Sequence, residues 1–195
     1  YTTGPEGFGR ALDLSGGDVA VRILNSNLQI LGSGGGGGGT NPTYQNTFDS
    51  AINATSMTIS VWVQGLPDNN WEPMVAKLGE DCCGYQLRRH NSSNNTTLTL
   101  RGTDGAPDPA GSISINDGNW HLVTGVRDIA NGNRLLYVDG VLDTAGSILD
   151  GSDTGNVSAA SWEWLTFGAR DQGGNFTAFS RVKLDDVRIY DEALS

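Results

Sequence analysis

The chain has little of what staples a fold or anchors it in a membrane. Of its 195 residues only two are cysteine, Cys82 and Cys83, and they are adjacent. With no third cysteine, three states are open to them: a bond to each other, two free thiols, or pairing with another molecule. Zinc would need further ligands, and His90 alone does not make a site. No apolar run approaches the roughly 20 residues that a membrane span requires. No basic, apolar and small-residue series marks a signal peptide at Tyr1, and the chain reads as a mature fragment of a longer protein. The missing signal therefore says nothing about secretion. A long apolar stripe at helical spacing is also lacking, and only 43–53 (TYQNTFDSAIN) suggests a helical turn.

Positive charge is scarce. Lys and Arg total 12 against 22 Asp and Glu, a net charge of −10. Such a domain repels nucleic-acid phosphates and anionic membrane surfaces over long range, which excludes both as partners. Hydrophobic residues make up 37%, enough for a core, and the shortfall is filled by 28 glycines and abundant Asn, Ser and Thr. That is a loop-rich composition rather than a disordered one. Its poverty in lysine and wealth of Asn, Thr, Gly and Asp point to a secreted or cell-surface setting. Sequons at Asn53, Asn91, Asn94, Asn95, Asn156 and Asn175 matter only in a host that glycosylates.

What is present is alternation. MTISVWVQG (57–65) sets Ile59, Val61 and Val63 against Ser60 and Trp62, and ALDLSGGDVAVRI (11–23) reads as a strand, a tight Gly-Gly turn and a second strand. Short strands follow at 74–79, 85–90, 97–102, 112–115 (SISI), 120–128, 134–140, 162–169 and 183–191. Turn residues separate them, the pattern of an all-β sandwich or jelly roll. GSGGGGGGT (32–40) has the composition of a linker. The piece before it holds too few apolar residues for a core of its own. Residues 1–195 are therefore read as a single domain, with 32–40 a Gly-rich surface loop.

ALDLSGGDVAV (11–21), TISVWV (58–63), NWHLVTGVRD (119–128), LLYVDGVL (135–142) and KLDDVRIYDEALS (183–195) occur in that order. Together they resemble the laminin-G-like (LamG-like) jelly-roll domain of the concanavalin A-like lectin/glucanase superfamily. The WH strand followed by a YVDG hairpin is the most specific part. The resemblance implies a jelly-roll β-sandwich of two antiparallel sheets with one concave face. It also implies a role in binding glycans or other extracellular partners, as an accessory module of a larger multidomain protein. A structural Ca2+ between the early Gly turn and the final strand is implied as well. That makes Asp18 and Asp185 its best side-chain ligands and Asp13 a weaker one, with the carbonyls of Gly16 and Gly17 adding oxygens. Otherwise these aspartates cap turns and strand ends.

Catalysis is not expected. Glucanases of this fold group place acid and nucleophile with a Glu-x-Asp-x-x-Glu cluster on one strand. Here Glu6, Glu72, Glu80, Glu163 and Glu192 are scattered. Alternation sends Asp185 and Asp186 to opposite faces of their strand. His90 and His121 have no neighbouring nucleophile in a recognisable motif, and the WH strand explains His121 structurally.

Binding is the remaining class. Sugar rings pack their C–H faces on exposed aromatics while polar groups hold the hydroxyls. Trp62 and Trp120 lie in strand motifs and are read as core or inter-strand packing, whereas Trp71 stands in a polar loop. If Leu165 and Phe167 face the core, Trp162 and Trp164 turn outward, toward a ligand or beneath a covering loop. The same parity with Tyr85 and Leu87 inward puts Gln86, Arg88 and His90 on one outer face. Leu98 and Leu100 inward add Thr97, Thr99 and Arg101 to it. Arginine forks hold carboxylates, sulfates and vicinal hydroxyls, the bland alternative being a solvated face with local ion pairs. Arg170 lies on a loop near the tryptophans.

A Cys82–Cys83 vicinal disulfide would be strained, because adjacent Cα atoms lie about 3.8 Å apart and ordinary disulfides prefer roughly 4.4–6.8 Å. Closing almost no chain, it would serve locally, as a rigid lip offering sulfur to a sugar. These readings combine into a non-catalytic carbohydrate-binding module of a secreted polysaccharide-active protein, its ligand a polysaccharide or oligosaccharide. The alternative is a calcium-stabilised protein-interaction or adhesion domain of the same fold. The net charge favours neutral glycans, and the Arg88/Arg101 face favours anionic ones.

Overall fold

The computed structural model describes residues 1–7, 9–23, 56–78, 84–101, 108–147, 164–172 and 175–194. The Gly-rich stretch 32–40 and the helical turn expected at 43–53 lie outside them. Strands are numbered in chain order. One sheet runs β1 (Thr2–Thr3), β2 (Arg10–Asp13), β14 (Lys183–Tyr190), β4 (Met57–Gln64), β8 (Trp120–Asp128), β9 (Asn133–Val138), β10 (Val141–Ser147). The other runs β3 (Val21–Ile23), β11 (Leu165–Phe167), β5 (Pro73–Leu78), β6 (Gly84–Arg89), β7 (Thr96–Arg101). A ribbon of β12 (Arg170–Gln172) and β13 (Asn175–Thr177) stands beside them. The described pairings are antiparallel throughout, and the architecture is the expected jelly-roll sandwich.

Alternation builds the core. Met57, Ile59, Val61 and Val63 of β4 are fully buried, in one cluster with Tyr85, Leu87, Leu98 and Leu100 of the second sheet. Each such side chain contributes about 1.5–3 kcal/mol of hydrophobic stabilisation. The sheets meet closely at Gly125, where an added Cβ would stand 3.0 Å from Leu98 side-chain carbons.

Two expectations fail informatively. The hairpin read at 11–23 is a crossover: β2 belongs to the seven-stranded sheet and β3 to the five-stranded one. The SISI segment, 112–115, is not a strand. Its alternation records burial, with Ile115 in the core and Ser112 and Ser114 exposed, but no strand pairs with it. Instead one carboxylate oxygen of Asp143 accepts from the backbone N–H of Ser112 and of Ile113, at 2.8 and 3.0 Å.

The WH strand and YVDG hairpin are tied by acids. Asp139, at φ 53, accepts the Leu122 N–H at 2.8 Å and holds His121 Nδ1 at 2.8 Å. Asp117 holds His121 Nε2 at 3.0 Å. Burial pulls the His121 pKa down, but the two carboxylates outweigh it and leave it raised above 6.5. Asp117 is lowered to about 2, first by its bond to His121. Both ring nitrogens are therefore occupied in holding the hairpin.

Candidate functional site

The core takes one face of the seven-stranded sheet, and the other face carries a groove. Because directly opposed residues share a face, the registers set a row across five strands: Arg188, Ser60, Thr124, Tyr137 and Leu142. Strands spaced by about 4.8 Å make that row roughly 19 Å long. Flanking it are Tyr190, Thr58 and Val126 on one side and Trp62 with Leu122 on the other. A cavity of about 280 Å³ is lined by Trp62, Ser60, Thr124, Arg188, Tyr190 and others of this face. A second, about 170 Å³, adjoins it at Thr124 and Leu194 and reaches Tyr137. The C-terminal segment forms the wall between them. Thr58 Oγ1 donates to the Glu192 carbonyl at 2.8 Å and accepts the Leu194 N–H at 3.0 Å.

Trp62 and Trp120 are thus not core residues. Opposed to Leu122 and Gln64, both lie on the outer side of their strands. The signal was in the alternation itself, since Val61 and Val63 inward require Trp62 outward.

Strand β14 departs from alternation at a bulge. Asp185 opposes Trp62 and Arg188 opposes Ser60, so Asp186 and Val187 together face Val61 alone. Asp186 takes φ 45, with its N–H bonded to Asp185 Oδ1 at 2.8 Å. The expectation that Asp185 and Asp186 point to opposite faces is therefore corrected: Asp185 shares the face of Trp62, and Asp186 lines the groove. Arg188 grips Asp186 with two bonds, Nε to Oδ1 at 2.9 Å and Nη2 to Oδ2 at 2.6 Å. Hydrogen bonds to Asp186 first, and also to Tyr190, hold the Arg188 pKa above its ordinary value.

The residues singled out on the second sheet are placed as parity required, but their face is closed. Tyr85 and Leu87 are in the core, and Gln86 and Arg88 point the other way. Gln86 is fully buried and Arg88 is 6% exposed, which removes both from contact with a ligand. The reason is Asp108, brought against Arg88 at 2.7 Å and against Arg134 of β9 at 3.6 Å. Thr99 Oγ1 also donates to Asp108, and Thr97 Oγ1 to the Pro109 carbonyl, so residues 108 and 109 cover this edge.

Trp71, His90 and Arg88 do come together. The Arg88 guanidinium lies 4.5 Å from the Trp71 ring centre, and the His90 ring meets Trp71 edge-on at 5.0 Å. Their loops are stapled by Arg89, which sequence reasoning passed over. Its guanidinium donates to the carbonyls of Pro67, Asp68, Ser92 and Ser93.

Arg101 is separate from Arg88. It opposes Gly84, whereas Arg88 opposes Thr97, four residues apart along β6 and so about 13 Å. Trp164 precedes β11, partly buried, its N–H bonded to Asp171 Oδ2 at 3.2 Å. Leu165 and Phe167 pack in or against the core as anticipated. Arg170 is partly buried in β12, opposite Thr177. Cys82, Cys83 and Trp162 lie outside the described residues.

The anticipated calcium ligands do not converge as a set. Asp18 is bound by Arg181 at 2.7 Å, a cation where Ca2+ would have to stand, and Asp13 accepts from the Ser15 N–H and hydroxyl. Gly16 is exposed on its turn. Asp185 differs: its Oδ2 is buried with no hydrogen-bond partner and lies against Gly4, where a Cβ would overlap it. Among the described residues no three Asp, Glu, His or Cys side chains meet around one point. Of the anticipated ligands, Asp185 alone offers an unpartnered carboxylate oxygen, to which a hard cation would have to add further oxygens.

A family model described as Concanavalin A-like lectin/glucanases superfamily (Laminin_G_3) matches residues 35–195. No curated protein matches the chain. Among solved structures, NanB sialidase from Streptococcus pneumoniae is 13% identical, with a TM-score of 0.63 over 96% of this chain and 26% of its own. The Ruminococcus gnavus IT-sialidase CBM40 bound to alpha2,3 sialyllactose is 14% identical, with a TM-score of 0.60 over 75% of this chain and 81% of its own. A third, from work on cell entry of botulinum neurotoxin type C and its interaction with two ganglioside molecules, is 15% identical. Its TM-score is 0.58 over 79% of this chain and 36% of its own. At these identities the likeness is one of fold, and the chain spans about a third or less of the toxin and NanB chains.

Proposed function

The chain belongs to the Concanavalin A-like lectin/glucanases superfamily, and we propose that it is a carbohydrate-binding module holding an oligosaccharide along the groove of the seven-stranded sheet. The observation that carries this reading is the row from Arg188 to Leu142, with Trp62, Tyr137 and Tyr190 beside the hydroxyls of Ser60 and Thr124. Aromatic faces beside short hydroxyls suit the apolar and polar sides of a sugar ring. The row has the length of several sugar units rather than one. Sialyllactose and gangliosides, named for two of the structural neighbours, support a glycan as the broad ligand class but, at 14–15% identity, not its charge.

Binding proceeds without turnover in this reading, since Asp186 is the one carboxylate among the described lining residues and is held by Arg188. The module is secreted or at the cell surface and works within a larger protein. Titration calorimetry against a panel of purified oligosaccharides tests the function. Saturable binding to at least one class is expected, and no binding to any of them would sink the reading in favour of adhesion.

Calcium belongs to the same reading, at Asp185. A ligand present at about 100 times its Kd stabilises a fold by about 2.7 kcal/mol. At roughly 2–4 °C per kcal/mol for a chain of this size, the melting temperature should rise about 5–10 °C in calcium over EGTA. Asp185→Asn should abolish that difference. Identical melts of the unaltered protein in both buffers would remove calcium from the account.

A further inference from the structure

We propose that Asp186 sets the charge class of the ligand, so that the groove takes neutral polyhydroxy glycans and rejects carboxylated and sulfated ones. This rests on the groove being the glycan site.

Arg188 is the cation among the described lining residues, with no lysine beside it. Its side chain is 54% exposed and would by itself attract a uronate or sulfate through the bidentate geometry such anions favour. Asp186 already occupies that fork, Nε and Nη2 being matched to the two carboxylate oxygens. An anionic sugar would have to displace the carboxylate, which then remains at the site as an uncompensated like charge. A neutral sugar meets no such barrier, because its hydroxyls need only the outer edges of the pair and the hydroxyls of Ser60 and Thr124.

The arrangement is built rather than incidental. A bulge adds a residue to β14 at this point, and Asp186 is held at positive φ, a conformation that non-glycine residues adopt at a cost. The Asp185 side chain fixes that turn through the Asp186 N–H. Without the bulge, Asp186 would not share the face of Trp62 and Arg188. Over longer range the net charge of −10 acts in the same sense, against anions.

The test is calorimetry of the 195-residue chain and of Asp186→Asn and Asp186→Gly, both of which tolerate positive φ. The probes are matched neutral and uronic or sulfated oligosaccharides at two salt concentrations. Unaltered protein should bind the neutral members at least tenfold more tightly than the anionic ones. Both variants should raise the anionic-to-neutral affinity ratio at least tenfold, and the gain should shrink with salt as a released arginine requires. Equal affinity for the two classes in the unaltered protein, or an unchanged ratio in folded variants, would overturn the proposal while leaving the glycan site standing. Binding of neither class would sink the glycan site and the proposal with it.

Discussion

Trp62→Ala is expected to weaken glycan binding by about 30-fold or more while the fold remains intact. Tryptophans at the centre of an interface carry about 2 kcal/mol or more when truncated, and about 1.4 kcal/mol is a factor of ten in affinity. Trp62 sits within the larger cavity, beside the row of Arg188, Ser60 and Thr124, and offers the widest ring of its described lining. Its neighbours along β4, Val61 and Val63, are the ones that fill the core. The substitution therefore removes surface from the open side rather than leaving a void between the sheets. A cost near 1 kcal/mol, or a melt lowered by about 2–4 °C, is the most that position should impose. Trp62→Phe keeps a ring and should recover most of the affinity. Calorimetry beside a thermal melt separates the cases. Affinity within twofold of the starting protein, in a folded Trp62→Ala, would place the ligand elsewhere.

The fold was legible because alternation is a direct consequence of strand geometry. Ile59, Val61 and Val63 could only be inward if Ser60 and Trp62 were outward, and Tyr85 and Leu87 fixed Gln86 and Arg88 in the same way. Parity, however, reports which side faces the core and not what lies on the other side. Arg88 and Ser60 read alike in sequence, each an outward polar residue on an alternating strand. Arg88 is closed over against Asp108, whereas Ser60 lines the groove. That difference is made by a contact between residues 20 positions apart, Arg88 and Asp108, which no local pattern encodes. The bulge at Asp186 was hidden for a related reason: LDDVRIY alternates acceptably with or without an extra residue, and only the pairing partner, β4, shows the slip.

Asp108→Ala should be strongly destabilising, costing about 3–5 kcal/mol. Asp108 is 4% exposed at its side chain, between guanidiniums 8% and 1% exposed, those of Arg88 and Arg134. Removing one partner of a buried ion pair leaves the other charges in a medium that solvates them poorly, which is where a cost of about that size arises. Asp108 touches both guanidiniums, so the loss falls on both. Thr99 Oγ1 and Arg88 Nη2 also lose their shared acceptor, Asp108 Oδ2. At roughly 2–4 °C per kcal/mol, the melt should fall by about 6–20 °C. Asp108→Asn keeps the shape and an acceptor but not the charge, and should fall in between. The same variants decide what Arg88 is for. If Arg88 were a ligand-binding residue, loosening it from Asp108 would strengthen binding of anionic glycans. If it holds Trp71 and the 67–72 loop in place, the melt should fall and glycan affinity, measured well below it, should stay within twofold. The second outcome is expected, because the proposed groove lies across the sandwich from Arg88, on the face of Trp62.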